Sequence, residues 1–196
     1  MEELIKRLLQ DLDNGDERQA EKAVESLKRL PAEQHTQAIE VLRGNYAAPE
    51  ADRRWWVVRA LAEIPGAEAG ALLIRALGDH DPSVRQCAAL ALRLRPDPTA
   101  LAPLLDGLRD PDPLAAKLAA DALAVLGEAA TSALLEALPV SPPAVRMLIV
   151  RALAEIGDPR AIPALFTALE DGSALVEYWA NEGLERMGVG MVFYSP

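Results

Sequence analysis

Cysteine is nearly absent: Cys87 stands alone. A single thiol cannot close an internal disulfide, so the chain suits a reducing compartment. Histidine is scarce too, with only His35 and His80. No His-Glu-x-x-His, Cys-x-x-Cys, P-loop or Gly-x-Gly-x-x-Gly pattern occurs, which leaves metal, redox and nucleotide chemistry without their usual local signatures. Gly188–Gly190 spells Gly-Val-Gly, but no strand precedes it. Aromatic residues make up 4% of the chain, too few for a typical sheet protein, whose strands favour aromatic and β-branched side chains. No apolar run approaches the ~18 residues of a membrane span. The opening stretch, MEELIKRLLQDLDNGDE, is charged and amphipathic and lacks the apolar core of a signal peptide; a cytoplasmic location is expected. Positive charge is the minority, with 20 Lys and Arg against 30 Asp and Glu, a net charge of −10. Adjacent basic residues occur only at Lys6-Arg7, Lys28-Arg29 and Arg53-Arg54. A nucleic-acid backbone would be repelled by such a chain.

What is abundant is alanine, leucine and a period. The word Arg-Ala-Leu-Ala-Glu-Ile occurs at 59–64 and again at 151–156. Its Ala-Leu pair, Ala60-Leu61, is followed by Ala91-Leu92, Ala122-Leu123, Ala152-Leu153 and Gly183-Leu184, in steps of 31, 31, 30 and 31 residues. A second ladder runs between these through Ala76-Leu77, Gly107-Leu108, Ala137-Leu138 and Ala168-Leu169. Two interleaved ladders of one period predict a two-helix repeat. Asp81-Pro82, Asp112-Pro113 and Ser141-Pro142 precede first-type helices; Asp97-Pro98 and Asp158-Pro159 precede second-type ones. Asp or Ser can accept bonds from the first-turn N–H groups, and Pro at the first helical position loses nothing. Gly78, Gly127, Gly157, Gly172 and Gly188 stand where helices should end in a left-handed residue. Helices of roughly 11–15 residues are marginal alone, so each must bury a face against its neighbours in a solenoid.

The expected fold is therefore all-α: a right-handed α-solenoid of about five two-helix repeats, forming a single domain over 1–196. A capping helix occupies 1–13, a degenerate first repeat 16–50, regular repeats of 30–31 residues 51–188, and an apolar tail 189–196. The last first-type helix, Ser173–Met187, has no second helix after it.

VRQCAALAL, VRMLIVRALAEIGDPRAIPALFTALED and DPTALAPLLDGLRDPDP resemble HEAT-like repeats of the phycobilisome-lyase type. The resemblance covers about residues 53–188 and implies the solenoid; it also implies, as an alternative function, a bilin lyase or lyase subunit that handles a chromophore. In such repeats Arg54, Arg85 and Arg146 would bond turn carboxylates, here Asp81 or Asp112. Ala116 and Glu177 break that column. Arg95 falls where other repeats have Ile64, Leu126, Ile156 and Met187, so its stem snorkels from the stack or the local turn is shifted.

Candidate chemistry is sparse. Cys87 shares a column with Trp56, Leu118, Leu148 and Trp179 and reads as a small buried hydrophobe. His80 lies in a turn and lacks the further ligands that a metal needs. Glu63 and Glu155 share a column three layers apart, about 27 Å at usual helix spacings, too far to act on one atom. No catalytic residue, cofactor or metal site is expected. The column Trp55, Gln86, Lys117, Met147, Tyr178 faces solvent, because it contains Gln and Lys. Trp55 and Tyr178, with Arg53, Arg54 and Tyr46 near Trp55, form the candidate partner surface. The alternative is that Trp55 seals the insertion GNYAAPEAD against the stack. On second-type helices the column Arg75, Asp106, Glu136, Thr167 is mixed in sign, which suits a protein better than nucleic acid. Met191, Phe193 and Tyr194 in the tail either cap the last repeat or insert into a partner, self-capping being favoured. The leading function is a non-enzymatic scaffold for a protein partner, monomeric by itself, with no membrane or nucleic-acid role.

Overall fold

The computed structural model describes residues 3, 5–7, 10 and 16–189. Among these there are eleven complete α-helices, four short 3-10 turns and no strand. The chain divides into two compact units, residues 1–95 and 96–196. In the first unit, Glu3, Ile5–Arg7 and Gln10 are helical and Ile5 is fully buried; the rest of the expected capping helix lies outside the described residues. There follow α1 (Glu17–Leu27), α2 (His35–Asn45), α3 (Ala51–Leu61), α4 (Ala67–Ala76) and α5 (Pro82–Leu94). The second unit holds α6 (Leu101–Gly107), α7 (Pro113–Val125), α8 (Glu128–Ala137), α9 (Pro143–Ile156), α10 (Ile162–Ala168) and α11 (Ala174–Arg186).

The odd-numbered helices are the first-type helices of the sequence ladders. Within the first unit α1 packs on α3 and α3 on α5; within the second α7 packs on α9 and α9 on α11. Each even-numbered helix lies against the first-type helix that follows it, and α4 and α10 also lie against the one before. The reason is local. Ala60, Leu61 and Ile64 are fully buried, as are Ala122, Leu123 and Leu153, so the 3/4 spacing of small and large apolar residues makes one continuous face that only a neighbouring helix can cover. At the last rung the approach is tightest: a Cβ built on Gly183 would lie 2.7 Å from the Ala154 Cβ and 2.9 Å from its Cα.

The expected caps form at four of five Pro positions. The carboxylates of Asp81, Asp112, Asp97 and Asp158 accept from the N–H groups of Ser83, Ala115, Thr99 and Arg160. Ser141 does not cap: its hydroxyl donates backwards to the Ala137 carbonyl at 2.7 Å, and α9 begins one residue later, behind Pro142. Gly127, Gly157, Gly172 and Gly188 have positive φ, whereas Gly78 does not; in the first unit the glycine with positive φ is Gly66, at 121°, which stands at the start of α4. The Arg95 guanidinium donates to the carbonyls of Ala62 and Ile64, both at 2.7 Å. It thus satisfies acceptors just past the end of α3 that have no helical partner, and the departure from the apolar ladder is a cap.

Candidate functional site

In the first unit the candidate residues converge on a carboxylate that sequence reasoning missed. α2 ends at Asn45, and Tyr46 follows it, buried. Its hydroxyl donates to Asp79 Oδ2 at 2.8 Å. Arg54, on the first turn of α3, grips Asp79 with two parallel bonds, Nε to Oδ2 at 2.9 Å and Nη2 to Oδ1 at 2.8 Å. Its Nη1 donates to the carbonyls of Ala48 and Pro49, at 3.1 and 2.8 Å, and so holds the insertion between α2 and α3. The Asp81 N–H donates to Asp79 Oδ1 at 2.9 Å, and the Arg75 guanidinium lies 5.4 Å from the centre of the Tyr46 ring. Burial pushes the Asp79 pKa up, but bonds from Arg54, the Asp81 N–H and Tyr46 outweigh it and hold the carboxyl at about 2. Burial, and then the bond to Asp79, raise the Tyr46 phenol well above its ordinary value.

Arg54 therefore pairs with Asp79 and not with Asp81 or Asp112, the turn carboxylates that the HEAT-like resemblance implied for these arginines. The reason is that the Asp81 carboxylate already caps α5 through the N–H and hydroxyl of Ser83, at 2.8 and 2.5 Å. The spacing was the available signal. Arg54 and Asp79 are 25 residues apart, and Arg146 reaches Asp171 over the same interval at 2.9 Å. Arg85 donates to the carbonyls of Asp79 and His80, at 2.8 and 3.1 Å.

Beside this cluster, Trp55 and Trp56 are both half-buried and meet edge-on, with ring centres 5.0 Å apart. Arg53 is half-buried on the same turn. In the second unit Tyr178 is 56% exposed and meets the half-buried Trp179 edge-on at 5.2 Å. The Arg151 guanidinium sits 5.5 Å from the centre of the Trp179 ring. Tyr46, Arg54 and Trp55 are thus neighbours in one unit; Tyr178 belongs to the other. Met191, Phe193 and Tyr194 lie outside the described residues.

The repeated six-residue word carries an electrostatic device as well as a stacking face. Arg59 pairs with Glu63 one turn on and with Glu21 of α1 at 2.6 Å. In the second copy Arg151 pairs with Glu155 one turn on, at 2.9 Å, and with Asp121 of α7. Asp121 is buried and also receives Lys117 at 3.2 Å. Each arginine thus joins its own helix to the preceding first-type helix of its unit. Glu63 and Glu155 are ion-pair partners in separate copies of this device.

Burial pushes the Cys87 thiol up to about 12, so it is a thiol at neutral pH. His80 is exposed in its turn, and the His35 Nε2 is 3.0 Å from the Leu30 carbonyl oxygen. Arg75, Asp106, Glu136 and Thr167 are all exposed. Among the described residues no group of three or more His, Cys, Asp or Glu side chains could hold a metal ion, and no described helix is long and apolar enough to cross a membrane.

Charge is unevenly divided. Residues 1–95 carry 16 Asp and Glu against 14 Lys and Arg, whereas residues 96–196 carry 14 against six. Five of those six cations, namely Lys117, Arg146, Arg151, Arg160 and Arg186, are in ion pairs inside the second unit.

Comparison with known proteins agrees with this architecture. No curated protein sequence matches the chain. Among solved structures, two engineered proteins are similar, at 22% and 23% identity. They cover 97% and 96% of this chain and 98% of their own, with TM-scores of 0.51 and 0.55. A designed armadillo repeat protein in complex with the peptide (KR)4 is 22% identical over 92% of this chain and 98% of its own, with a TM-score of 0.51. These likenesses show the fold, an all-α solenoid of helical repeats. The HEAT repeats family matches residues 47–124 and 131–189, the same stretch in which the ladders, the caps and the paired arginines recur, and the chain belongs to that family.

Proposed function

We propose that the chain is a non-enzymatic scaffold that offers its helical-repeat surface to a protein partner. One observation carries this reading. The polar groups that could do chemistry are engaged in holding helices together, as Arg54 and Tyr46 are by Asp79 and Arg151 by Asp121. The aromatic side chains of Trp55, half-buried, and Tyr178, exposed, reach the surface and make no such polar bonds among the described residues. Exposed aromatic anchors beside arginines are the usual energetic centres of protein contacts. A peptide complex of a protein with the same fold supports the reading. On this reading the chain works in the cytoplasm, is monomeric by itself, and needs no cofactor.

A pigment-handling role of the phycobilisome-lyase kind would need arginines free to meet propionates at a groove rim. Arg54, one of the two arginines that would serve, has its guanidinium committed to Asp79 and two carbonyls.

The test is affinity capture from the source cell, with Trp55→Ala as the comparison. A specific protein should be retained by the parent chain, and the variant should bind it more weakly by about 1–3 kcal/mol with its fold intact. A sharp fall in melting temperature with unchanged affinity per folded molecule would assign Trp55 to sealing the insertion instead. A coloured product on co-expression with a bilin pathway would refute the scaffold.

A further inference from the structure

The first-type helices of the second unit carry exposed apolar side chains at equivalent positions. α7, α9 and α11 pack side by side in that order. Equivalent positions therefore form rows across them, spaced at the usual ~8–10 Å between helix axes. One row reads Leu114, Ala144, Leu175, and all three are exposed, Leu114 by 49% and Leu175 by 60%. The next reads Lys117, Met147, Tyr178, of which Tyr178 is 56% exposed and Met147 half-buried. Below these lies the half-buried Trp179 ring. Large apolar side chains exposed singly are ordinary; a contiguous set on three adjoining helices is the mark of a contact surface.

Charge selects the occupant. The second unit has a net charge of −8, and five of its six cations are already neutralised inside it. An anionic lipid surface or a nucleic acid would be repelled. A second copy would bring the same acidic unit against itself. What complements an apolar strip on an acidic body is a segment that is apolar on one side and basic on the other. Secondary structure follows from the backbone. An extended peptide needs donors and acceptors from its host; this face lies on the first two turns of α7, α9 and α11, whose carbonyls are already taken by the N–H groups four residues on, so it offers no acceptors. An amphipathic helix satisfies its own backbone and presents anchors at i, i+3, i+4 and i+7.

We propose that the face formed by Leu114, Met147, Leu175, Tyr178 and Trp179 docks a cationic amphipathic helix of another protein. This rests on the scaffold reading and names the surface and the class of partner.

The probe is a synthetic 18-residue peptide with leucine on one helical face and lysine on the other. Its binding to the full chain is followed by fluorescence anisotropy. Two comparison peptides accompany it, the same peptide with glutamate for lysine and an alternating Lys-Arg octapeptide with no apolar residue, together with three variants of the chain. Leu175→Ser with Tyr178→Ser removes the strip at exposed positions, and Leu114→Ser is a second, milder lesion on another helix. Glu136→Gln, on a second-type helix, is the charge control. The leucine–lysine peptide should bind. The double variant should weaken it at least tenfold and Leu114→Ser about threefold, with circular dichroism unchanged; Glu136→Gln should change it less than twofold. The glutamate and Lys-Arg peptides should bind at least tenfold more weakly. Equal binding by the double variant, or equal binding of the Lys-Arg octapeptide, overturns the proposal. If the double variant still captures a natural partner that Trp55→Ala loses, the scaffold stands and this face is not its docking surface.

Discussion

Replacing Gly183 by alanine sets helix propensity against packing. Gly183 is in the interior of α11, where alanine is intrinsically better than glycine by about 1 kcal/mol. A Cβ there would lie 2.7 Å from the Ala154 Cβ, 2.9 Å from the Ala154 Cα and 3.0 Å from Leu165 Cδ1. Carbon atoms prefer about 3.5–4.0 Å, and the Cα of Ala154 is backbone in the last turn of α9, so relief requires the two helices to move apart. Overpacking of this kind costs about 1–3 kcal/mol. Because the obstacle is backbone and not a flexible side chain, the upper part of that range applies. The net effect after the propensity gain is a loss of about 1–2 kcal/mol. In a chain of this size that lowers the melting temperature by roughly 2–8 °C, which circular dichroism at 222 nm reads directly. Gly44→Ala is the internal comparison: it lies in α2 with nothing within 4 Å of its Cβ, so propensity acts alone and stability should rise by roughly 0.5–1 kcal/mol. Ala154→Gly in the Gly183→Ala background should restore part of the loss. If Gly183→Ala melts at or above the parent temperature, the close approach of α9 and α11 is wrong.

Asp79→Asn should lower stability at pH 7 by roughly 1–2 kcal/mol, because it loosens the bonds from Arg54 and Tyr46. The native carboxyl sits at about 2 against an ordinary value of 3.8. Its contribution is therefore complete above about 3.8 and is lost as pH falls towards 2; urea titrations across that window should show a flatter pH dependence in the variant. Arg95→Ala should cost about 1–2 kcal/mol by leaving the Ala62 and Ile64 carbonyls without their donor; chemical denaturation that shows no loss would remove its role as a cap.

The repeat architecture was legible because packing writes it into the sequence at a fixed interval. A first-type helix can approach its neighbour only where a small residue stands beside a leucine, and that pair recurs at Ala60-Leu61, Ala122-Leu123 and Ala152-Leu153. The Asp-Pro caps were equally readable, since capping is a matter of two adjacent residues. The exposure of Tyr178 was readable from the Gln86 and Lys117 that share its column. The bonding of the candidate site was not. Asp79 and Asp81 are both aspartates of one turn, and which of them caps α5 depends on the turn's path in space. Tyr46 sits in an insertion outside the period, so no column foretold its burial. Ser141 looks like a cap in sequence, yet its hydroxyl finds a carbonyl behind it. Arg95 broke an apolar column for a reason visible only once the end of α3 lies against it.

The paired arginines of the two identical words bear on how such a chain keeps its repeats in order. Repeats built from the same alanine and leucine faces are sterically near-interchangeable, and an array of interchangeable parts can dock out of register or exchange segments during folding. Arg59 and Arg151 remove that freedom. Each finds an acid on the first-type helix that precedes it in its unit, Glu21 for one and Asp121 for the other, while α5 (Pro82–Leu94) contains no acidic residue. A copy of the word placed behind a helix such as α5 would leave its guanidinium, side chain 13% exposed in the case of Arg151, without an interhelical acid. The two arginine–acid pairs therefore act as address labels laid over a uniform apolar surface: the apolar residues let any repeat stack, and the arginines specify which one stacks next.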